Sequence, residues 1–253
     1  MIRARNPVAL GAWVSRRKPE RRSRLRLFCF PYAGAGASIF HTWSDGVPAD
    51  VEVCPIQLPG RGIRLRERPF TELLPLVEAL ADALAPLLDQ PFAFFGHSLG
   101  ALVSFELARE IRRRYARHPA RLFVSAGRAP QIPHFGPPIN HLPEKAFLAE
   151  LRCLNGTPEE LLNHKELMEI ALPLLRADFA VYETYMYSAE PLLDCPISVF
   201  GGLQDRRVNE SDLEGWRAQS TGCFSLRMFH GDHFFLKQSI VLRVLAQELE
   251  RTY

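Results

Sequence analysis

The stretch from residue 92 to residue 114 limits the fold of this chain more than any other. The apolar run Phe92-Ala93-Phe94-Phe95-Gly96 reads as a buried strand. It passes through Gly96-His97-Ser98-Leu99-Gly100 directly into a pattern that sets Leu102, Val103, Leu107 and Ile111 on one helical face. A strand that turns at once into a helix strains the backbone of the corner residue, and glycines at 96 and 100 remove side chains that would collide there. Ser98 is therefore expected to stand exposed above a sheet edge. It also sits at a helix N-terminus, where unpaired N–H groups and the helix dipole favour negative charge.

From residue 25 onward, short runs rich in Phe, Val and Ile alternate with longer helical patterns, which predicts an α/β fold with a mostly parallel central sheet flanked by helices. Strands are expected at 25–30, 51–57, 92–96, 122–125, 197–200 and 224–229. Helices are expected at 72–88, where Pro86 should end the helix early, at 99–114, and from about Lys237 through Val241, Leu245 and Leu249. The roughly seventy residues between the fourth and fifth strands are too long for an ordinary loop. This segment opens Pro-rich. A capping-box start at Thr157-Pro158 with Glu160 follows, then an apolar stripe of Leu167, Ile170, Ala171, Leu174 and Leu175, with a kink expected at Pro173. It reads as a helical lid, about 129–190, inserted into one α/β domain of 25–253.

The chain has 253 residues, 47% apolar and 23% charged, enough for one large core. No apolar run approaches the roughly eighteen residues of a membrane span. Residues 8–14 fail as a signal peptide: the run contains Gly11 and leads straight into Arg16, Arg17 and Lys18. A cytoplasmic protein is expected. The five cysteines are an odd number without a C-x-x-C pair, which implies neither a disulfide framework nor a zinc site. Residues 1–26 carry eight arginines and Lys18 against Glu20 alone, so this arm holds +8 of a chain whose net charge is only +3. The arm, 1–24 ahead of the first strand, reads as a solvated basic extension. It lacks aromatic interleaving, so no nucleic-acid partner is implied.

A serine hydroxyl needs a base within hydrogen-bond reach, normally an imidazole held by a carboxylate. With a strand–serine–helix corner of the α/β-hydrolase kind, the acid and then the histidine should follow on loops after late strands. His233 fits best. It follows the sixth strand through Gly231-Asp232 and precedes the closing helix, with His230 as the fallback. His97 adjoins the serine, while His41, His118, His134, His141 and His164 read as surface or lid residues. Asp205 is the acid of choice, after the fifth strand and Gly201-Gly202-Leu203-Gln204, at the sheet edge where active sites collect. Asp194 precedes that strand, Asp212 falls in the next helix and Asp232 is too close to His233. Two N–H groups should hold the oxyanion: Leu99, after the serine, and Ala33, in the small-residue loop Pro31-Tyr32-Ala33-Gly34-Ala35-Gly36-Ala37. Pro59-Gly60-Arg61-Gly62 reads as a structural turn. No spacing supports a metal site.

Together, Leu27-Phe28-Cys29-Phe30-Pro31-Tyr32-Ala33-Gly34, Leu58-Pro59-Gly60-Arg61-Gly62, Gly96-His97-Ser98-Leu99-Gly100-Ala101, Leu175-Arg176-Ala177-Asp178-Phe179 and His233-Phe234-Phe235-Leu236 make the chain resemble the type II thioesterases of polyketide synthase and nonribosomal peptide synthetase pathways. The resemblance spans nearly all of 25–249. Two positions depart from it: many relatives have Met at Leu99, and often Gly at Asp232. It implies Ser98, Asp205 and His233 as triad, and Ala33 and Leu99 as oxyanion-hole positions. It implies a substrate that is an acyl group on the phosphopantetheine arm of an acyl or peptidyl carrier protein, and an enzyme with no cofactor of its own; a monomer is expected. The triad alone does not separate editing of stalled chains from product release, fatty-acyl hydrolysis or small-ester hydrolysis.

Overall fold

In the computed structural model, residues 10–15, 23–133 and 136–252 are described. The arginine-rich stretches 1–9 and 16–22, and His134, lie outside them. In chain order the main elements are α1 (Leu10–Trp13), β1 (Leu25–Phe30), β2 (Val51–Pro55), α2 (Leu73–Leu84), β3 (Phe92–His97), α3 (Leu99–Tyr115) and β4 (Leu122–Ser125). Then follow α4 (Glu144–Leu154), α5 (Glu159–Leu162), α6 (Lys165–Glu183), β5 (Ile197–Gly202), α7 (Glu210–Glu214), β6 (Phe224–Phe229) and α8 (Ser239–Glu250). The strands form one sheet in the order β2-β1-β3-β4-β5-β6, every neighbouring pair parallel.

Both faces of the inner strands are covered, which is why β3 and β4 read as nearly unbroken apolar runs. Alternate residues of β1 and β3 point to opposite sides. Phe28, Phe30 and Phe94 meet the apolar faces of α2 and α3 on one side. Leu27, Cys29 and Phe95 share the other side with Val241, Leu245 and Leu249 of α8. α2 stops at Leu84 and tightens into a 3₁₀ turn at Ala85–Leu87, where Pro86 lacks the N–H to continue it. No helix among the described residues is long and apolar enough to cross a membrane.

Three expectations need correction. First, β2 ends at Pro55 rather than 57. Ile56 instead pairs antiparallel with Val14, framed by hydrogen bonds from Ser15 N to Pro55 O (2.9 Å) and from Gln57 N to Trp13 O (2.8 Å). Second, the segment 10–15 is thus docked and not solvated. Trp13 and Val14 are both 4% exposed, Arg64 stacks 3.8 Å from the Trp13 ring centroid, and the segment covers part of an edge strand that would otherwise present open hydrogen-bonding groups. Apolar content outweighed the arginines around it.

Third, the lid helices are phased differently. Thr157 caps nothing, and Pro158 precedes only the four-residue α5. The long helix α6 starts at Lys165 and runs on through Pro173. Leu167 and Ile170 face solvent, while Met168, Leu172 and Leu175 pack with Phe147 and Leu151 of α4 and with Leu162 in a small separate core. Leu174 is buried against another neighbour, with its Cδ1 close to Gly60. An α6 that packs on two sides has an apolar arc too wide to be phased from one stripe.

Candidate active site

The corner after β3 is as tight as its sequence requires. Ser98 has φ 54° and ψ −115°, strained for a residue with a Cβ. It is held there by its N–H to Ser125 O (2.8 Å) and by the bond from Ala101 N to its carbonyl (2.9 Å). A Cβ on Gly96 would lie 2.1 Å from Gly100 O, and one on Gly100 would lie 2.1 Å from Phe30 O. Neither position accepts a side chain. Ser98 is half-exposed and opens into a cavity of about 670 Å³ that it shares with Ala33, Leu99 and His233. The roof is the inserted segment: Ala146, Leu151 and Leu154 of α4, and Leu175, Phe179 and Tyr182 of α6.

His233 Nδ1 lies 2.7 Å from Asp205 Oδ2, and both side chains are nearly inaccessible. The other oxygen, Oδ1, accepts from Arg207 N (2.8 Å) and Val208 N (3.3 Å). Burial works against ionising Asp205, but the hydrogen bond and charge of His233, together with the two amides, outweigh it, and the carboxyl lies below its ordinary value. An ionised carboxylate only accepts, so Nδ1 carries the ring proton and Nε2 is left as the basic nitrogen. Nε2 is buried and has no hydrogen-bond partner among the described residues, so its bond to Ser98 Oγ is not made in this state. Such bonds often form only once substrate is bound. The Ala33 and Leu99 N–H groups, at the same cavity, donate to no acceptor among the described residues.

The competing residues are engaged elsewhere. His230, His41, His118, His141 and His164 are exposed. Asp194 pairs with His118 (2.9 Å). Asp212 closes a capping box with Asn209 at the start of α7. Asp232 accepts from Phe234 N (2.9 Å).

Two groups to which sequence reasoning gave no part in the site, His97 as a neighbour of the serine and Arg61 as part of a structural turn, hold the site in position. His97 is fully buried, with Nε2 2.9 Å from His233 O and Nδ1 2.9 Å from Ser125 Oγ. A carbonyl can only accept, so Nε2 donates to it and Nδ1 accepts from the Ser125 hydroxyl. Burial, and then the proximity of His233, hold His97 well below an ordinary histidine value, consistent with that neutral form. The second is a buried ion pair. Arg61 and Asp178 meet through two hydrogen bonds, Nη1 to Oδ2 (2.8 Å) and Nη2 to Oδ1 (2.7 Å). Asp178 Oδ2 also accepts from Gly34 N (2.7 Å), Arg61 Nη1 donates to Ala35 O (2.9 Å), and Gln57 Oε1 accepts from Ala37 N (3.1 Å). The loop bearing Ala33 is thus pinned to the turn at 59–62 and to α6. The turn was legible in the sequence, but the reach of the Arg61 side chain was not. The available signal was Asp178 itself, a carboxylate among Leu174, Leu175, Ala177 and Val181 on a buried helix face, which demands a cationic partner.

Chain order decides the class. Serine before acid before histidine, each just beyond the carboxyl end of its own strand, separates the α/β-hydrolases from other folds that assemble the same three side chains. This chain follows that order and that topology. Residues 25–249 match the model of the thioesterase domain family, and the chain belongs to it. It is 50% identical over 230 residues to the gramicidin S biosynthesis protein GrsT of Aneurinibacillus migulanus, covering 91% of this chain and 90% of that protein. It is 38% identical over 232 residues to the thioesterase PikA5 of Streptomyces venezuelae, covering 90% and 82%. The solved structure of RedJ, a thioesterase from the prodiginine biosynthetic pathway in Streptomyces coelicolor, superposes with a TM-score of 0.83 at 40% identity, over 89% of this chain and 86% of that one. The chain is a serine hydrolase acting on thioesters.

Proposed function

We propose that the enzyme removes acyl groups from the phosphopantetheine arm of acyl or peptidyl carrier proteins, clearing stalled or misprimed chains from polyketide and nonribosomal peptide assembly lines. The similarity to GrsT and RedJ, named for gramicidin S and prodiginine biosynthesis, supports that setting. The observation that carries the mechanism is the 2.7 Å bond from His233 Nδ1 to Asp205 at the cavity that Ser98 opens into.

His233 Nε2 takes the proton of Ser98 Oγ, which attacks the thioester carbonyl, while the Ala33 and Leu99 N–H groups hold the oxyanion. His233 gives that proton to the departing pantetheine sulfur. Water, deprotonated by the same nitrogen, then attacks the acyl-serine, and the free acid leaves as Oγ regains a proton. Asp205 holds the ring orientation throughout. The scheme draws on no metal or cofactor, since the phosphopantetheine belongs to the substrate. The enzyme works as a cytoplasmic monomer in this reading.

The test is Ser98→Ala, assayed by intact-protein mass spectrometry of an acylated carrier protein before and after incubation. Turnover should fall by about 10⁴-fold or more. Labelling by a fluorophosphonate should disappear with it. Near wild-type deacylation by this variant would refute the mechanism.

A further inference from the structure

Among the buried polar groups near the site, Ser125 has no part in the mechanism, yet it is joined to both reacting residues. It is the last residue of β4, fully buried, and stands in register with His97 of β3. Its carbonyl accepts from Ser98 N (2.8 Å), which holds the strained corner that carries the nucleophile. Its hydroxyl lies 2.9 Å from His97 Nδ1, and His97 Nε2 donates to His233 O (2.9 Å). One residue therefore reaches the serine in one step and the base in two.

The longer connection matters because so little else holds the base. Asp205 fixes the His233 ring at Nδ1, but one hydrogen bond tolerates a range of angles, so the direction of Nε2 also depends on the backbone. His233 lies in the loop between β6 and the turn at Phe235–Lys237. Among the described residues, the bond from His97 is the one hydrogen bond that the His233 backbone makes. The base is placed well only if the His97 ring is.

Packing fixes that ring in part, since His97 meets Tyr32 and Phe235 edge-on at 5.7 Å each. An imidazole that donates from Nε2 has a lone pair at Nδ1, and leaving a buried lone pair unmet is costly. The Ser125 hydroxyl is the group that meets it. Without that oxygen the ring is hydrogen-bonded at one end alone and can tilt away from the His233 carbonyl.

We propose that Ser125 is a positioning residue for the reaction: its carbonyl sets the nucleophile, and its hydroxyl, acting through His97, sets the base, so that the end of β4 fixes the separation of Ser98 and His233. This rests on the mechanism proposed above and adds to it a residue that does not line the cavity.

The test is Ser125→Ala, which removes one oxygen and keeps the backbone bonds of β4. The rate of Ser98 labelling by a fluorophosphonate reads the reactivity of the serine–imidazole pair without any thioester, and steady-state kinetics on one acyl-pantetheine substrate gives kcat and KM. Labelling and kcat should both fall about 10- to 100-fold, the scale of a misplaced reacting group, with KM little changed. Ser125→Cys, with a weak S–H donor of similar shape, should recover part of the loss. In a His97→Phe background, where the link to the base is already cut, Ser125→Ala should add no further loss. A Ser125→Ala enzyme that labels at the wild-type rate overturns the proposal. So does a loss of equal size with and without the His97 imidazole, which would make Ser125 a packing residue only. Either result leaves the triad mechanism standing, whereas labelling that survives in Ser98→Ala would defeat the mechanism itself.

Discussion

Removing Asp178 separates what the buried ion pair contributes to the fold from what it contributes to the reaction. Asp178→Ala leaves Arg61 charged at 5% exposure with no carboxylate, and strands Gly34 N. Losing one partner of a buried pair costs about 3–5 kcal/mol. Against a total stability of roughly 5–15 kcal/mol, the variant folds with a lowered denaturation midpoint. The catalytic effect arises through position. Gly34 follows Ala33 directly, so releasing its N–H frees the loop that presents the Ala33 donor. One misplaced oxyanion donor corresponds to about 10²–10³ in kcat, with KM little changed. Exchanging both partners for apolar residues, Arg61→Met with Asp178→Leu, removes the unpaired charge and should recover most of the stability. It does not restore an acceptor for Gly34 N, so kcat should stay low. The assays are urea unfolding and steady-state kinetics on one acyl-pantetheine substrate. If the double variant recovers stability and wild-type kcat together, the pair is purely structural and the reasoning fails.

Two further outcomes follow from other parts of the molecule. Trp13→Ala should cost about 3–5 kcal/mol by urea unfolding, because a buried indole and its stacking with Arg64 are lost together; a change within about 0.5 kcal/mol would show that the N-terminal segment is not docked in solution. The folded Asp205 carboxyl lies below its unfolded value, so its contribution is complete above about pH 4 and is lost as pH falls through the lower folded value. The gap in denaturation midpoint between wild type and Asp205→Asn should therefore be widest near neutrality and close below about pH 4, and a gap independent of pH would contradict that assignment.

Most of the sheet was legible: inner strands such as Leu122–Ser125 are buried on both faces and stand out as apolar runs, and the partly buried edge strand Phe224–Phe229 still alternates Phe224, Leu226 and Met228 with polar residues, so both were found with the bounds the structure gives. The pairing of His233 with Asp205 was legible because chain order and loop position leave few other candidates. The roof was read less well. α6 packs on both α4 and the turn at 59–62, so Leu167 and Ile170, apolar yet exposed, mislead a single-stripe reading. The docking of Trp13 was hidden by the surrounding arginines. The links from Arg61 to Asp178 and from His97 to His233 span 117 and 136 residues, and no local pattern announces contacts of that separation.

The roof of the cavity is built from two helices with unequal freedom to change. α4 contributes Ala146, Leu151 and Leu154 to the lining, and none of its residues bonds to the loop that presents Ala33. α6 contributes Leu175, Phe179 and Tyr182, and also carries the carboxylate that fixes the amide of residue 34. Redesign of chain-length tolerance should therefore start on α4, where a wrong choice alters only which molecule fits, whereas a shift of α6 by a single residue would spoil reactivity toward every substrate at once.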